Sequence, residues 1–271
     1  MNWGSILGFI ISVIIFCGAI ALETKKWQVF LNVHAFTLVV GGTLAAAFIS
    51  YRGIYVIKAF SFIFTTLRKQ KINAVTLKED VKRFIDWSGV LAKEGLDGLS
   101  KASEGDIFIE RCIYLAKQEY SENEFHKLAE EFIESDFERK LVFSDILTRM
   151  GETGPAFGMI GTLVGLIIML QEVGTDPTGI ARGIGLALIA TLYGVVFAKI
   201  IFEPFAFKIK EYLSILRFRR TLLLEGFLML ITKKDPFTIM DTLNSKLDPS
   251  SVYNRDDASK KSESKEEAKS K

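Results

Sequence analysis

The chain has 271 residues, of which 49% are hydrophobic and 24% charged, too apolar for one soluble domain and too charged to lie wholly in a membrane. Lysine and arginine, at 34, nearly balance aspartate and glutamate, at 32, which excludes a dedicated nucleic-acid binder. Cys17 and Cys112 lie far apart without CxxC or CxxH spacing, so neither a metal site nor a disulfide is expected.

Met1 to Leu22 carries no charge and opens the chain. It lacks a basic leader and an A-x-A-like cleavage site, and a second apolar run follows at once, so it reads as a membrane helix and not as a signal peptide. A crossing needs about 20 apolar residues. Four uncharged windows come near that length: Met1 to Leu22, Trp27 to Tyr51, Thr153 to Gln171 and Gly183 to Ala198. Trp3, Trp27 and Tyr51 stand at span ends, where amphipathic rings are favoured. The predicted class is all-α: a polytopic membrane protein with four transmembrane helices and a helical cytoplasmic domain.

Charge sets the orientation. The stretch from Arg52 to Arg83 holds eight basic residues against Glu79 and Asp80, and Lys199, Lys208, Lys210, Arg217, Arg219 and Arg220 follow the fourth span. The links between spans one and two and between spans three and four are short and carry few charges. The positive-inside bias therefore predicts both termini and the long central loop in the cytoplasm. The expected division is a hairpin over 1–51, a cytoplasmic helical loop over 52–152, a second hairpin over 153–203, cytoplasmic helices over 204–249 and a disordered tail over 250–271.

Within the loop, Val81, Phe84, Ile85, Val90 and Leu91, and later Phe125, Leu128, Phe132 and Ile133, recur at helical spacing. The tail SSVYNRDDASKKSESKEEAKSK is almost free of aliphatic residues, a composition that does not fold by itself.

The third span contains Pro155, Gly158, Thr162 and Gly165, separated by three, four and three residues, on one helical face. The fourth repeats the device with Ala187, Thr191, Gly194 and Ala198. Two readings stand side by side. Small stripes let membrane helices pack closely, and a threonine there can bond only its own helix. Alternatively, the stripes leave room for a third helix or a hydrated ion path, with Thr162 and Thr191 as oxygen ligands. No window contains Asp, Glu, Lys or Arg, although ion relays across a membrane need an ionisable group. His34, the one imidazole in a span, reads as a polar side chain near an interfacial end. Pro155 is expected to open the third span and Pro204 to end the fourth. No phosphate loop, nucleophile-base pair or metal cluster is present in the sequence, so no enzyme is expected.

The layout, together with Pro155 to Leu166 (PAFGMIGTLVGL), Ala190-Thr191-Leu192-Tyr193-Gly194 and Pro204, resembles the MotA/PomA family of flagellar stator subunits. Glu225-Gly226, Asp235-Pro236, Leu243, Leu247 and Pro249 are similar to that family's cytoplasmic tail. The resemblance implies a multi-pass protein of the bacterial inner membrane, five copies around a dimer of a single-span MotB/PomB-type subunit that supplies the ion-carrying aspartate. It implies no cofactor beyond the transported Na+ or H+, an ion path at Pro155, Gly158, Thr162, Gly165 and Thr191, and coupling prolines at Pro155 and Pro204. The rotor switch protein is then met by charged loop residues. The family's Ala-Arg-Lys-x-Gly stretch and acidic cluster appear here as Ala92-Lys93-Glu94-Gly95, Leu99-Ser100-Lys101 and Glu104, so Lys93, Glu94, Lys101 and Glu104 are the rotor candidates. Lys93 replaces a bidentate arginine by a point charge. Threonine at 162 resembles sodium-driven members, whereas Ala190 stands where such members carry a second threonine; sodium is favoured. An energiser of the ExbB/TolQ type is the alternative, and its usual three spans separate it from the four counted here.

Overall fold

The computed structural model describes residues 3–25, 27–69, 72–102, 105–173 and 177–254. Among these there is no strand. The α-helices are α1 (Trp3–Glu23), α2 (Val33–Phe36), α3 (Gly42–Ser50), α4 (Gly53–Lys69), α5 (Ala74–Ala102), α6 (Ile107–Lys117), α7 (Glu122–Gln171), α8 (Pro177–Val196), α9 (Glu203–Ile231) and α10 (Pro236–Asn244). Two π-helical segments, Thr37–Gly41 and Phe197–Phe202, join α2 to α3 and α8 to α9. Four stretches of described residues are long and apolar enough to cross a membrane: Ile6–Glu23, Trp27–Ser50, Glu122–Glu172 and Pro177–Ile231. The class read from periodicity is the class observed.

The prolines differ from expectation. Pro155 does not open a helix, because α7 runs unbroken from Glu122 to Gln171 around it. Pro204 does not end one either: α9 continues to Ile231. Proline removes an N–H and crowds the preceding turn. Ahead of Pro204 the backbone has widened into the π segment, where the Glu203 N–H bonds the carbonyl of Ala198.

Two compact units divide the chain at other places than the sequence did: Met1–Gln70 with Arg139–Leu213, and Lys71–Glu138 with Ser214–Lys271. Helix α4 thus belongs to the first unit and not to the loop. It buries Val56, Ala59, Ile63 and Thr66, spaced by three and four, and Phe62 packs its ring against Phe143 and Tyr212 at 5.2 and 6.2 Å.

In the first unit the second span begins with Asn32, whose side chain accepts from the Ala35 N–H at 3.0 Å and caps α2. Ala35 and Val39 pack on Ile189 and Ala190 of α8. Gly42 lies under the ring of Phe157, and Gly161 approaches Leu38. Spans two and three are therefore antiparallel, and their hairpin links share one end of the unit.

The second unit has its own apolar core. Phe84, Trp87 and Phe227 form an aromatic triad with ring separations of 5.4 to 5.7 Å, and Gly226 makes room for the Phe84 ring. Val81, Phe84, Phe125 and Ile133 are buried as their spacing requires, whereas Leu128 is exposed. Ser121 and Glu124 form a capping box at the start of α7. Their hydrogen bonds hold the Glu124 carboxyl below its ordinary pKa. Order also runs past the expected start of the tail: Ser251 and Tyr253 are buried, and Asn244 exchanges two 3.0 Å hydrogen bonds with the Tyr253 backbone. The rest of the predicted tail, 255–271, lies outside the described residues.

Candidate functional site

Helices α7 and α8 meet through the two small-residue stripes. A methyl group placed on Gly165 would stand 2.6 Å from the Gly183 carbonyl oxygen and 2.7 Å from the Ala187 nitrogen. One on Gly158 would stand 3.2 Å from the Ala190 oxygen and from the Thr191 Cα, and one on Gly194 would stand 2.7 Å from the Gly154 oxygen and 3.2 Å from the Pro155 Cα. Only hydrogen fits at Gly165 and Gly194, so the backbones are in direct contact. The packing reading of the stripes describes this seam: Gly158 and Gly165 leave no room between α7 and α8 for a third helix or water.

Both threonines bond within their own helices. Thr162 Oγ1 donates to the Met159 carbonyl at 2.6 Å, and Thr191 Oγ1 donates to the Ala187 carbonyl at 3.4 Å. A hydroxyl whose proton is turned inward keeps lone pairs for a cation or a donor. Pro155, Thr162 and Thr191 are half-buried. Near the other end of the seam, Glu203 packs on Gly151 and accepts from Lys199 Nζ at 2.6 Å.

Tyr193 does more than its place in the sequence motif revealed. Its hydroxyl donates to the carbonyl of Phe30 and accepts from the Asn32 N–H, which satisfies backbone groups where the second span changes from a 3-10 turn to α-helix. A tyrosine in a span needs a partner for its hydroxyl, and that was the available signal.

The rotor candidates lie in the second unit. Lys93 and Glu94 are exposed. Glu104 and the side chain of Lys101 lie outside the described residues. Between Glu94 and Lys101, α5 breaks at Gly95, with φ 67° and ψ −162°, a conformation open essentially to glycine alone. Sequence reading also missed the ion pairs of α9. Arg219 grips Asp80 with two bonds, at 2.6 and 3.0 Å, and Asp106 with one at 2.8 Å. Arg217 pairs with Glu134 and Arg220 with Asp136. Burial works against the Arg219 charge, but the bonds and charges of Asp80 and Asp106 outweigh it and raise the pKa.

Residues 100–222 match the MotA/TolQ/ExbB proton channel family. The uncharacterized protein YtxD of Bacillus subtilis (strain 168) is 32% identical over 236 residues, 86% of this chain and 84% of that protein. Motility protein A of Aquifex aeolicus (strain VF5) is 30% identical over 219 residues, 78% of this chain and 83% of the relative. The chain belongs to the motility protein A family. Its fold is that of the flagellar MotAB stator complex from Bacillus subtilis, with a TM-score of 0.80 at 24% identity, covering 90% of this chain and 95% of that one. As a motility protein A family member it is a multi-pass membrane protein of a channel superfamily and not an enzyme. The four spans match that membership, and the direct backbone seam runs through the stretches on which the resemblance rested.

Proposed function

We propose that this chain is the A subunit of a flagellar stator that, with a single-span B subunit, conducts ions across the bacterial inner membrane and turns the flux into torque on the rotor. One observation carries the reading. The four uncharged windows hold no Asp, Glu, Lys or Arg, whereas an ion relay needs an ionisable group in the membrane. A partner helix bearing an aspartate supplies it, with five copies of this chain around a B dimer. The names of the relatives support this: one is a motility protein, and a protein of the same fold is part of a flagellar stator complex.

In this reading both termini face the cytoplasm, Pro155 and Pro204 couple ion movement to rotation, and Lys93, Glu94, Lys101 and Glu104 meet the rotor switch protein. The transported ion is Na+, bound transiently with the help of Thr162 and Thr191 as it exchanges hydration water for oxygen ligands. The inward-turned hydroxyl protons, which leave the oxygens as acceptors, support that role. Swimming speed tests it, in a stator-deletion strain complemented with this gene and its B-subunit gene. Speed should rise with external sodium at fixed pH and membrane potential. A flat response, with collapse on addition of a protonophore, would assign protons instead, and no motility with any partner would overturn the stator reading.

A further inference from the structure

Beside the α7–α8 seam, and sharing Gly183 with it, the membrane-spanning unit holds a cleft of about 900 Å3 between the second span and helices α7 and α8. Its α7 wall is Phe157, Ile160, Val164 and Ile168, spaced by three and four on one helical face. Along the axis, Phe157 to Ile168 is about 16 Å. That is about half of a hydrocarbon core about 30 Å thick, so the cleft does not run the length of a span.

The polar side chains are gathered toward one end, with Thr37 one turn further in. Asn32 and His34, at the start of the second span, and Arg182, in the second turn of α8, line it there. Helical side chains lean toward the N-terminus, which carries the Arg182 guanidinium toward the Pro177 end and the membrane surface. At the Phe157 end the walls converge. The Phe157 ring lies so near Gly42 that a methyl group there would be 2.4 Å from it.

This shape discriminates between occupants. A transmembrane helix crosses both leaflets, whereas this slot is about half that long and narrows where the Phe157 ring meets Gly42. A slot that is apolar over about half a bilayer's thickness, narrows at one end and carries a cation at the other fits a lipid molecule. We propose that this cleft is a binding site for a glycerophospholipid, with one acyl chain along Ile160, Val164 and Ile168 and its phosphate on Arg182. The lipid wedges the second span at a fixed separation from α7. The site stands whether or not the chain conducts ions.

The test uses the full chain extracted by polymer with its native lipid shell, exchanged with a phospholipid carrying a photoactivatable group midway along one acyl chain. After irradiation, peptide mapping should find adducts concentrated on Leu38 to Ala45 and Ile160 to Ile168. Gly41→Leu fills the slot, and its first added carbon would meet only the Thr37 methyl, at 3.9 Å; it should lower those adducts about tenfold while leaving labelling at Leu7 and Ile14 unchanged. Arg182→Gln, which leaves the slot intact, should lower retention of the labelled lipid about fivefold during washing with unlabelled lipid. Two results would overturn the proposal. One is equal labelling of the cleft and the outward faces in the native chain, which would mean annular lipid only. The other is efficient disulfide formation between cysteines placed at Ala45 in two copies, which would mean a second copy fills the cleft.

Discussion

Gly165 and Gly183 face each other backbone to backbone: a methyl group on either would stand 2.6 or 2.7 Å from the carbonyl oxygen of the other. Gly185, two residues further on and on the opposite face of α8, would meet nothing within 4 Å. Overpacking a close seam costs about 1–3 kcal/mol. Gly165→Ala should therefore lower the thermal midpoint of the purified chain clearly, and Gly185→Ala, a helical position in open space, should raise it slightly. Equal midpoints for the two variants would show that the seam gives way without cost.

Gly95 gives a second paired comparison. At φ 67° and ψ −162°, Gly95→Ala should cost about 1–3 kcal/mol through backbone strain alone, since the space around it is open. Gly89, within the helical part of α5 and equally open, should gain about 0.5–1 kcal/mol on replacement by alanine. Hydrogen exchange over 90–102 reads both: faster in Gly95→Ala and slower in Gly89→Ala. The same outcome in both would remove the strain argument.

These positions mark how far the sequence was legible. The spans and the stripes carrying Gly158, Gly165 and Gly194 follow a helical period, which is local information. Whether a stripe is filled or open is decided by the facing helix, so Gly165 was placed on the right face while its contact with Ala187 was not foreseen. Arg52 and Lys58 make α4 look like part of the cytoplasmic loop. Its packing partners Phe143 and Tyr212 are far away in sequence. The uncharged window opens at Thr153, two residues before Pro155, which makes the proline look like a helix start. The helix itself begins at Glu122, where the Ser121–Glu124 capping box supplies the local signal.

Cys112 should be chemically silent in the folded chain. Burial, with Asp106 nearby, pushes its thiol well above the usual range, and a thiol that keeps its proton is a poor nucleophile. A membrane-permeant maleimide at pH 8 should leave it unmodified until the chain is unfolded. The sign of the pH dependence follows. The unfolded chain sheds this proton above about pH 8.5, whereas the folded one retains it, so stability is full below that pH and falls as pH rises above it. Cys112→Ala should remove that part of the alkaline decline. Rapid labelling of the native protein would contradict the burial argument.

Arg219 tests what holds the second unit together. Asp80 is almost completely buried, with 1% of its side chain exposed, and takes both bonds of the Arg219 fork. Arg83, itself half exposed, reaches Asp80 only at 3.4 Å. Removing one partner of a buried pair leaves an uncompensated charge at a cost of about 3–5 kcal/mol, so Arg219→Met should destabilise more than any exposed substitution on α9. Arg219→Lys keeps the charge and loses the fork, and should fall between Arg219→Met and the native chain. Asp106 also loses a bond in either variant, but it still caps α6 by accepting from the Phe108 N–H at 3.0 Å and lies nearer water. The burden therefore rests on Asp80. Adding Asp80→Leu to Arg219→Met removes the stranded carboxylate and should recover most of the lost stability, because apolar replacements of buried pairs are often neutral or better. Thermal midpoints of the full chain in its native lipid shell decide the matter. The order native, lysine variant, methionine variant, with rescue in the double variant, is required if the pair acts through charge compensation; failure of the rescue would mean that Arg219 acts instead through the packing of its stem.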